Sequence, residues 1–407
     1  MDYNRADAGL HHLGHGRRDD MTFYLVVAMT VLNHIAYKGS KMLVSLYAID
    51  FGGSPLEVGI LFSLYSLFSL FIAVHVGRLS DRVGPRRLML VGCCGLIAGL
   101  LLPYFWPRMG MLYVSATLIG ALYIFFTVSA QHLIGASGSG HARTRNFGIY
   151  SLGVGITSLC APPLTGFAID HYGHQATYAV LAVLPAAPLA CLLLFRNAVP
   201  RATGAAAAAR GARRAADLLA NIPLRRALIT TGIVETGGEL YNFYMPIYGH
   251  SIGLSASRIG LIIGLFGAAI LLARAVMPVL VRRSSEEAVL FGSLALAAAT
   301  CVLFPFVSDP VMLGVISFVL GLGLGCCGPL SMVLTYNRAP EGRSGEAMGW
   351  RQTFNKVIEV SMPLLFGSLG SVFGLGPAFW INAMFLGSGA ALMRADARAR
   401  VKRVASG

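Results

Sequence analysis

His34, Lys38 and Lys41 stand at i, i+4 and i+7 in an otherwise apolar stretch near the N-terminus, and Glu235, Glu239 and Asn242 repeat that spacing 201 residues later. A helix puts i, i+4 and i+7 on one face. Ionisable groups sunk in a membrane helix are costly and mark a functional pathway. A basic stripe in one half and an acidic stripe in the other would be the facing walls of a polar crevice. Three kinds of chemistry compete for such a pair of walls: a gating ion pair, the binding of a charged solute, or the carriage of a proton by one carboxylate. Desolvation favours the protonated form of a carboxyl and a nearby Lys the ionised form, so a Glu that gained and lost a Lys partner would take up and release a proton. Glu239 is nearer mid-span than Glu235 and is the expected carrier. His34, whose side-chain type titrates near neutral pH, either shares that proton or is a hydrogen-bonded structural residue.

A second polar face follows near the C-terminus: Gln352, Asn355, Lys356 and Glu359 at i, i+3, i+4, i+7, with Arg351 at its side. Lys356 and Glu359 are spaced to pair along a helix. Arg274, roughly two turns from a span end, either snorkels to the interface or binds an anion bidentately. Tyr123, Thr127 and Gln131 form a milder stripe, for which helix packing is the expected role, and His75 and His132 are read as structural. Embedded cations (Lys38, Lys41, Arg274, Arg351, Lys356) outnumber embedded anions (Glu235, Glu239, Glu359), which points to an anionic or zwitterionic solute.

The elements that must hold these residues are membrane helices. The chain has 407 residues, 56% of them hydrophobic and 12% charged, with a mean hydropathy of +0.67; soluble domains carry roughly 25% charged residues. Apolar stretches of about 20 residues, enough to cross about 30 Å of hydrocarbon, fall near 22–48, 56–77, 87–105, 110–134, 145–169, 175–195, 227–249, 256–280, 287–307, 311–335, 347–371 and 375–393. The expected fold is therefore an all-α membrane protein of twelve transmembrane helices.

A net charge of +14 raises the possibility of nucleic-acid binding, but the positions of the basic residues exclude it. Outside the spans, Lys and Arg collect in the termini and even-numbered connections, and only Arg108 and Arg258 lie in odd ones. That asymmetry is the positive-inside rule and places both termini in the cytoplasm of a cell inner (plasma) membrane. The seven cysteines sit in apolar spans without metal-ligand spacing and read as buried small hydrophobes. Residues 1–20 lack an apolar core and are not a cleavable signal; despite His11, His12 and His15 they read as a tail. No metal and no cofactor are expected.

Residues 196–226, with an alanine run and a single acid, Asp217, are expected to form a basic cytoplasmic linker. They separate a six-helix bundle at 21–195 from another at 227–394, with a cytoplasmic tail at 395–407. The bundles look duplicated at the same offset of 201: Tyr47 matches Tyr248, Gly52 Gly253, Ser54 Ser255, Gly59 Gly260, Gly120 Gly321, Gly148 Gly349, Pro162 Pro363, Gly166 Gly367 and Gly173 Gly374. Parallel repeats around a midplane site are a known secondary-transporter design.

After the second span the chain reads Gly77-Arg78-Leu79-Ser80-Asp81-Arg82-Val83-Gly84-Pro85-Arg86-Arg87. This resembles the loop 2–3 signature of the major facilitator superfamily, G-x-L-x-D-R-x-G-r-k, matching at Gly77, Leu79, Asp81, Arg82, Gly84 and Arg86 and departing at Pro85. Gly77 would allow close helix approach, Gly84 a sharp turn, and Asp81 would suit a helix N-terminus. The resemblance implies two pseudo-symmetric six-helix bundles with helices one, four, seven and ten around a central cavity. It also implies that this loop latches against the eleventh helix in the outward-open state. The corresponding loop Pro278–Ser284 has Arg282 where the acid would stand. Gly153 to Gly166 loosely resembles the family's antiporter motif but lacks its glycine before the proline, and the fourth span lacks the membrane-embedded Arg of many drug/proton antiporters.

The implied activity is secondary active transport by alternating access, with protons as the coupling ion since no P-loop is present, a small-molecule substrate, the lipid bilayer around a monomer, and efflux slightly favoured. Proton-coupled uptake of an organic anion is the alternative, and a transporter-like membrane sensor the alternative of another class. No nucleophile motif supports an enzyme.

Overall fold

The computed structural model describes residues 4–136, 141–194, 220–340 and 343–405. The expected linker, apart from 220–226, and the side chains of both tails, His11, His12 and His15 among them, lie outside the described residues. The first half comprises α1 (Asn4–Asp50), α2 (Pro55–Val83), α3 (Pro85–Phe105), α4 (Met109–Ala136) and α5 (His141–Leu194). The second comprises α6 (Ile222–Ser251), α7 (Ala256–Arg283), α8 (Glu286–Leu303), α9 (Pro310–Gly325), α10 (Cys327–Asn337), α11 (Ser344–Phe373) and α12 (Gly376–Ala405).

Twelve traverses result, with two differences in how they are cut. α5 makes two passes that meet at Gly173, whose φ of 78° and ψ of 168° reverse the chain. The tenth pass is divided at Cys326 into α9 and α10. Eight elements are long and apolar enough to span a membrane by composition alone, α5 counting as one of them and α9 with α10 as another. α1 and α6 fall short because they carry the charged stripes, and α12 because of its glycines and Asn382.

The repeat is visible in the backbone. Gly52 and Gly253 share a φ of 79°, and Gly173 and Gly374 have 78° and 80°, a region L side chains rarely adopt. These turns lie at one end of the molecule, the Gly52 rim; Gly84 and the ends facing the linker lie at the other. Each bundle leans on its partner at two equivalent seams, α5 against α7 and α2 against α11. A Cβ at Gly260 would collide with the carbonyl of Pro162, and one at its repeat partner Gly59 with the carbonyl of Pro363, which is Pro162's own repeat partner. Gly166 likewise abuts Ala256, and Gly367 abuts Pro55. Small residues let backbones approach where lipid supplies no hydrophobic drive.

The Gly52 rim is shut. Ser255 caps α7 by accepting from Arg258 N, and Asp170 of α5 supplies the two acceptors still needed, taking Ala256 N at 3.1 Å and Ser257 N at 2.9 Å. Ser54 and Glu57 form a capping box on α2, Pro55 has no N–H to satisfy, and Ser371 of α11 accepts from Leu56 N at 3.1 Å. The orphan donors of two helix starts are thus met from the opposite bundle. Phe62 and Phe243 also meet edge-to-face across the divide, 5.4 Å apart.

Candidate functional site

The stripe on α1 enters a polar cluster between the bundles, where its members part company. Lys41 reaches across to α6, its Nζ 3.8 Å from Glu239 Oε2, with both side chains largely buried. Three rings from the first bundle surround the ammonium: Phe62 at 5.4 Å, Tyr37 at 5.8 Å and Tyr65 at 6.0 Å, distances at which ring faces attract a cation. The pair is an ion pair but not a hydrogen bond, and Glu239 Oε2 is buried without a hydrogen-bond partner among the described residues. Lys38 turns the other way and donates to Ser158 Oγ of α5. Of the two lysines expected opposite the acids, it is Lys41 that meets Glu239.

His34 pairs through Nδ1 with Tyr123 Oη, whose ring stacks on Tyr37 at 4.2 Å. Tyr123, expected to serve packing, is therefore joined to the cluster. Glu235 makes no hydrogen bond or ion pair among the described residues, although the charges of Glu359, Glu239, Lys356 and Arg351 bear on it. Asn242 folds back on the Gly238 carbonyl at 2.8 Å and is exposed.

On α11, Lys356 donates to both carboxylate oxygens of Glu359, at 2.7 and 2.6 Å. Ser66 of α2 donates to Glu359 Oε2 at 2.7 Å, a contact across the bundles. The four-residue face expected there is not uniform. Asn355 is buried with its Oδ1 unpartnered among the described residues, and Arg351 donates to the Gly328 carbonyl at 3.4 Å. Gln352 is exposed, as is Ser151, its repeat partner on α5. Both lie on the Gly84 side of the charges along their helices.

Arg274 of α7 lies against α5, its Nη1 within 3.8 Å of where a Cβ on Gly155 would stand. Its Nε is buried without a partner among the described residues. Ser158 and Ser66 carry no signature in sequence, since a lone serine in an apolar helix reads as packing. The one signal that would have singled out Ser158 is the repeat, which pairs it with Glu359.

In the signature loop, Gly84 takes a φ of 92° between α2 and α3. Arg86 donates from Nε and Nη2 to the Leu192 carbonyl at 3.0 and 2.5 Å, inside its own bundle. Arg82 and Leu79 are exposed, and a Cβ on Gly77 would meet open space, so the close approach expected there is not made in this conformation. Asp81 falls in the last turn of α2 rather than at a helix N-terminus, and its side chain lies outside the described residues. His75 bonds the Phe71 carbonyl and His132 bonds Ser80. Among the described residues no group of His, Cys, Asp or Glu is placed to hold a metal. A recess of about 520 Å³ on the outer wall is lined by Val302, Phe306, Trp380 and Met384; it is apolar and holds none of the cluster's charges.

Comparison with known proteins agrees with this architecture. The model of the Major Facilitator Superfamily matches residues 26–358 and 227–406. Multidrug resistance protein MdtG of Klebsiella pneumoniae (strain 342) is 26% identical over 332 residues, covering 80% of each chain. A bacterial homologue of the human lysosomal transporter Spinster, solved inward-facing and unoccupied, superposes with a TM-score of 0.79 over 95% of this chain and 98% of its own, at 11% identity. The nucleoside transporter NupG, solved as a mutant, gives a TM-score of 0.77 over 92% and 99%, at 13% identity.

Proposed function

The chain belongs to the major facilitator superfamily, and we propose that this multi-pass membrane transporter is a proton-coupled exporter of small polar, anionic or amphipathic solutes. Its Gly84 rim and both termini face the cytoplasm, a reading supported by the distribution of Lys and Arg. The two bundles rock about the charged cleft, so that the site opens first to one side and then to the other. The observation that carries this reading is the Lys41–Glu239 pair: one charge from each bundle, 3.8 Å apart, with a carboxylate oxygen that no hydrogen bond among the described residues claims. Rocking that parts the bundles parts the pair, and a carboxylate stripped of its ammonium in a dry setting holds a proton more tightly. Glu239 then carries the coupling proton. Export is favoured because the relative of highest identity quoted above is named for multidrug resistance.

The seams support the mechanism. Glycine against carbonyl at four equivalent places makes a smooth hinge surface, and the helix-capping bonds at the Gly52 rim are polar ties between the bundles. In the outward-open state the loop carrying Arg82 and Arg86 latches against α11.

The test is solute flux in proteoliposomes. A proton gradient should drive accumulation by the wild type and not by Glu239→Gln, which should still exchange solute for solute. Ligand binding without flux under any gradient would make the protein a sensor and end the transport reading; unchanged proton drive in Glu239→Gln would remove that residue from the coupling role.

A further inference from the structure

The two seams are built alike but charged differently. At the α2–α11 seam the cation is Lys356, and Glu359 neutralises it through both oxygens. At the α5–α7 seam the repeat places Gly155 where Lys356 stands and Ser158 where Glu359 stands. Leu271 of α7 packs against Gly155, and Arg274, one turn further along α7, brings its Nη1 within 3.8 Å of where a Cβ there would stand, while Lys38 Nζ bonds Ser158 Oγ one helical turn further on α5. This seam therefore has its cation, and a second one beside it, with a serine in the acid's place.

Among the described residues no carboxylate bears on Arg274. The acid whose charge reaches Lys38 is Glu239, already shared with Lys41. The surplus of two embedded cations over anions is thereby localised: Arg351, Lys356, Glu235 and Glu359 balance on one side of the cleft, Lys41 and Glu239 balance at its centre, and Lys38 and Arg274 are left over. Two adjacent uncompensated cations in low dielectric repel, and such an arrangement is costly unless an anion joins it. A guanidinium with its Nε unclaimed, an ammonium and a hydroxyl make a donor set for an oxyanion.

We propose that Arg274, Lys38 and Ser158 form the subsite that receives the acidic group, carboxylate or phosphate ester, of an organic anion, and that the bound anion takes the place Glu359 occupies at the twin seam. The inference deepens the transport reading and rests on it for the route the anion then takes.

The experiment uses the purified full chain in nanodiscs and a fluorescent organic anion, carboxyfluorescein, with rhodamine 6G as the cation built on a related ring system. Anisotropy should report binding of carboxyfluorescein, displaced by benzoate or phenyl phosphate but not by benzamide; which of the two displaces better identifies the acidic group. Arg274→Gln and Lys38→Gln should each weaken binding about ten-fold or more, the scale of a lost charged hydrogen bond, and Arg274→Lys should lose less. Ser158→Glu, which installs the missing acid, should abolish anion binding while the thermal midpoint holds or rises. Failure of the wild type to bind the anion at millimolar concentration, or unchanged affinity in Arg274→Gln that melts like the wild type, overturns the subsite. Flux in proteoliposomes separates the two claims: anion binding without flux keeps the subsite and sinks transport, whereas flux of rhodamine 6G alone keeps transport and sinks the subsite.

Discussion

Asp170 offers the most direct handle on the proposed rocking, because its bonds to Ala256 N and Ser257 N tie one bundle to the other at the shut Gly52 rim. It leaves its own bundle to complete the capping of a helix in the other, at the positive end of the α7 dipole. Replacing a capping Asp by Ala costs about 1 kcal/mol. Asp170 is exposed, so solvent screening holds the figure near there rather than at the upper end of the range. A loss of about 1 kcal/mol from the closed-rim state alone shifts a two-state equilibrium about five-fold toward opening. The shift can be read as a distance distribution by pulsed electron resonance between labels at Phe51 and Ser251, exposed positions of opposite bundles on that rim. Native cysteines must be replaced first, since Cys94 and Cys160 are exposed. Asp170→Ala should enrich the long-distance population, Asp170→Asn should do so less, and Asp170→Ala with Ser371→Ala should exceed either single change. A distance distribution indistinguishable from wild type in the double variant would refute the idea that these caps hold the rim.

Other consequences concern the charges and the seams. Exchanging the central pair, Lys41→Glu with Glu239→Lys, should restore part of the flux that each single change removes, with a coupling of about 0.5–3 kcal/mol as for residues in contact; a double variant no better than the worse single one would mean the pair is not functional. Gly260→Val should lower the thermal midpoint through about 1–3 kcal/mol of overpacking against the Pro162 carbonyl, while Gly292→Ala, where a Cβ meets open space, should be neutral or better; equal midpoints for the two would contradict the close seam. Ser66→Ala should weaken the hold of the first bundle on Glu359 and lower flux without unfolding the protein, and flux at the wild-type level would assign that hydrogen bond a passive role.

The traverses could be read from sequence because lipid imposes length and hydropathy on every one of them, and the repeat because Gly52, Gly173, Gly253 and Gly374 are fixed by backbone geometry that other residues resist. The pairing of side chains could not. Helical spacing puts Lys38 and Lys41 on one face but says nothing about which of them crosses to Glu239; that depends on how α1 is turned by its packing on α5, and it is Lys41 that crosses while Lys38 is taken up by Ser158. Nor does spacing tell that Asn355 is turned inward while Lys356 beside it pairs with Glu359, because helix rotation against α2 decides it.

The repeat carries more than architecture once both seams are laid side by side. Equivalent positions in a duplicated fold face equivalent surroundings, so a difference between twins isolates what one half does that the other does not. Gly59 and Gly260, Pro162 and Pro363, and Asp170 and Ser371 kept their roles, and they hold the bundles together. Ser158 and Glu359 did not, and neither did Lys38 and Glu239. Likeness across the repeat collects where the bundles meet and difference where charge is held. That division is what the proposed rocking requires, since the surfaces on which the bundles would move must match in both halves, whereas the walls that would grip a solute need not.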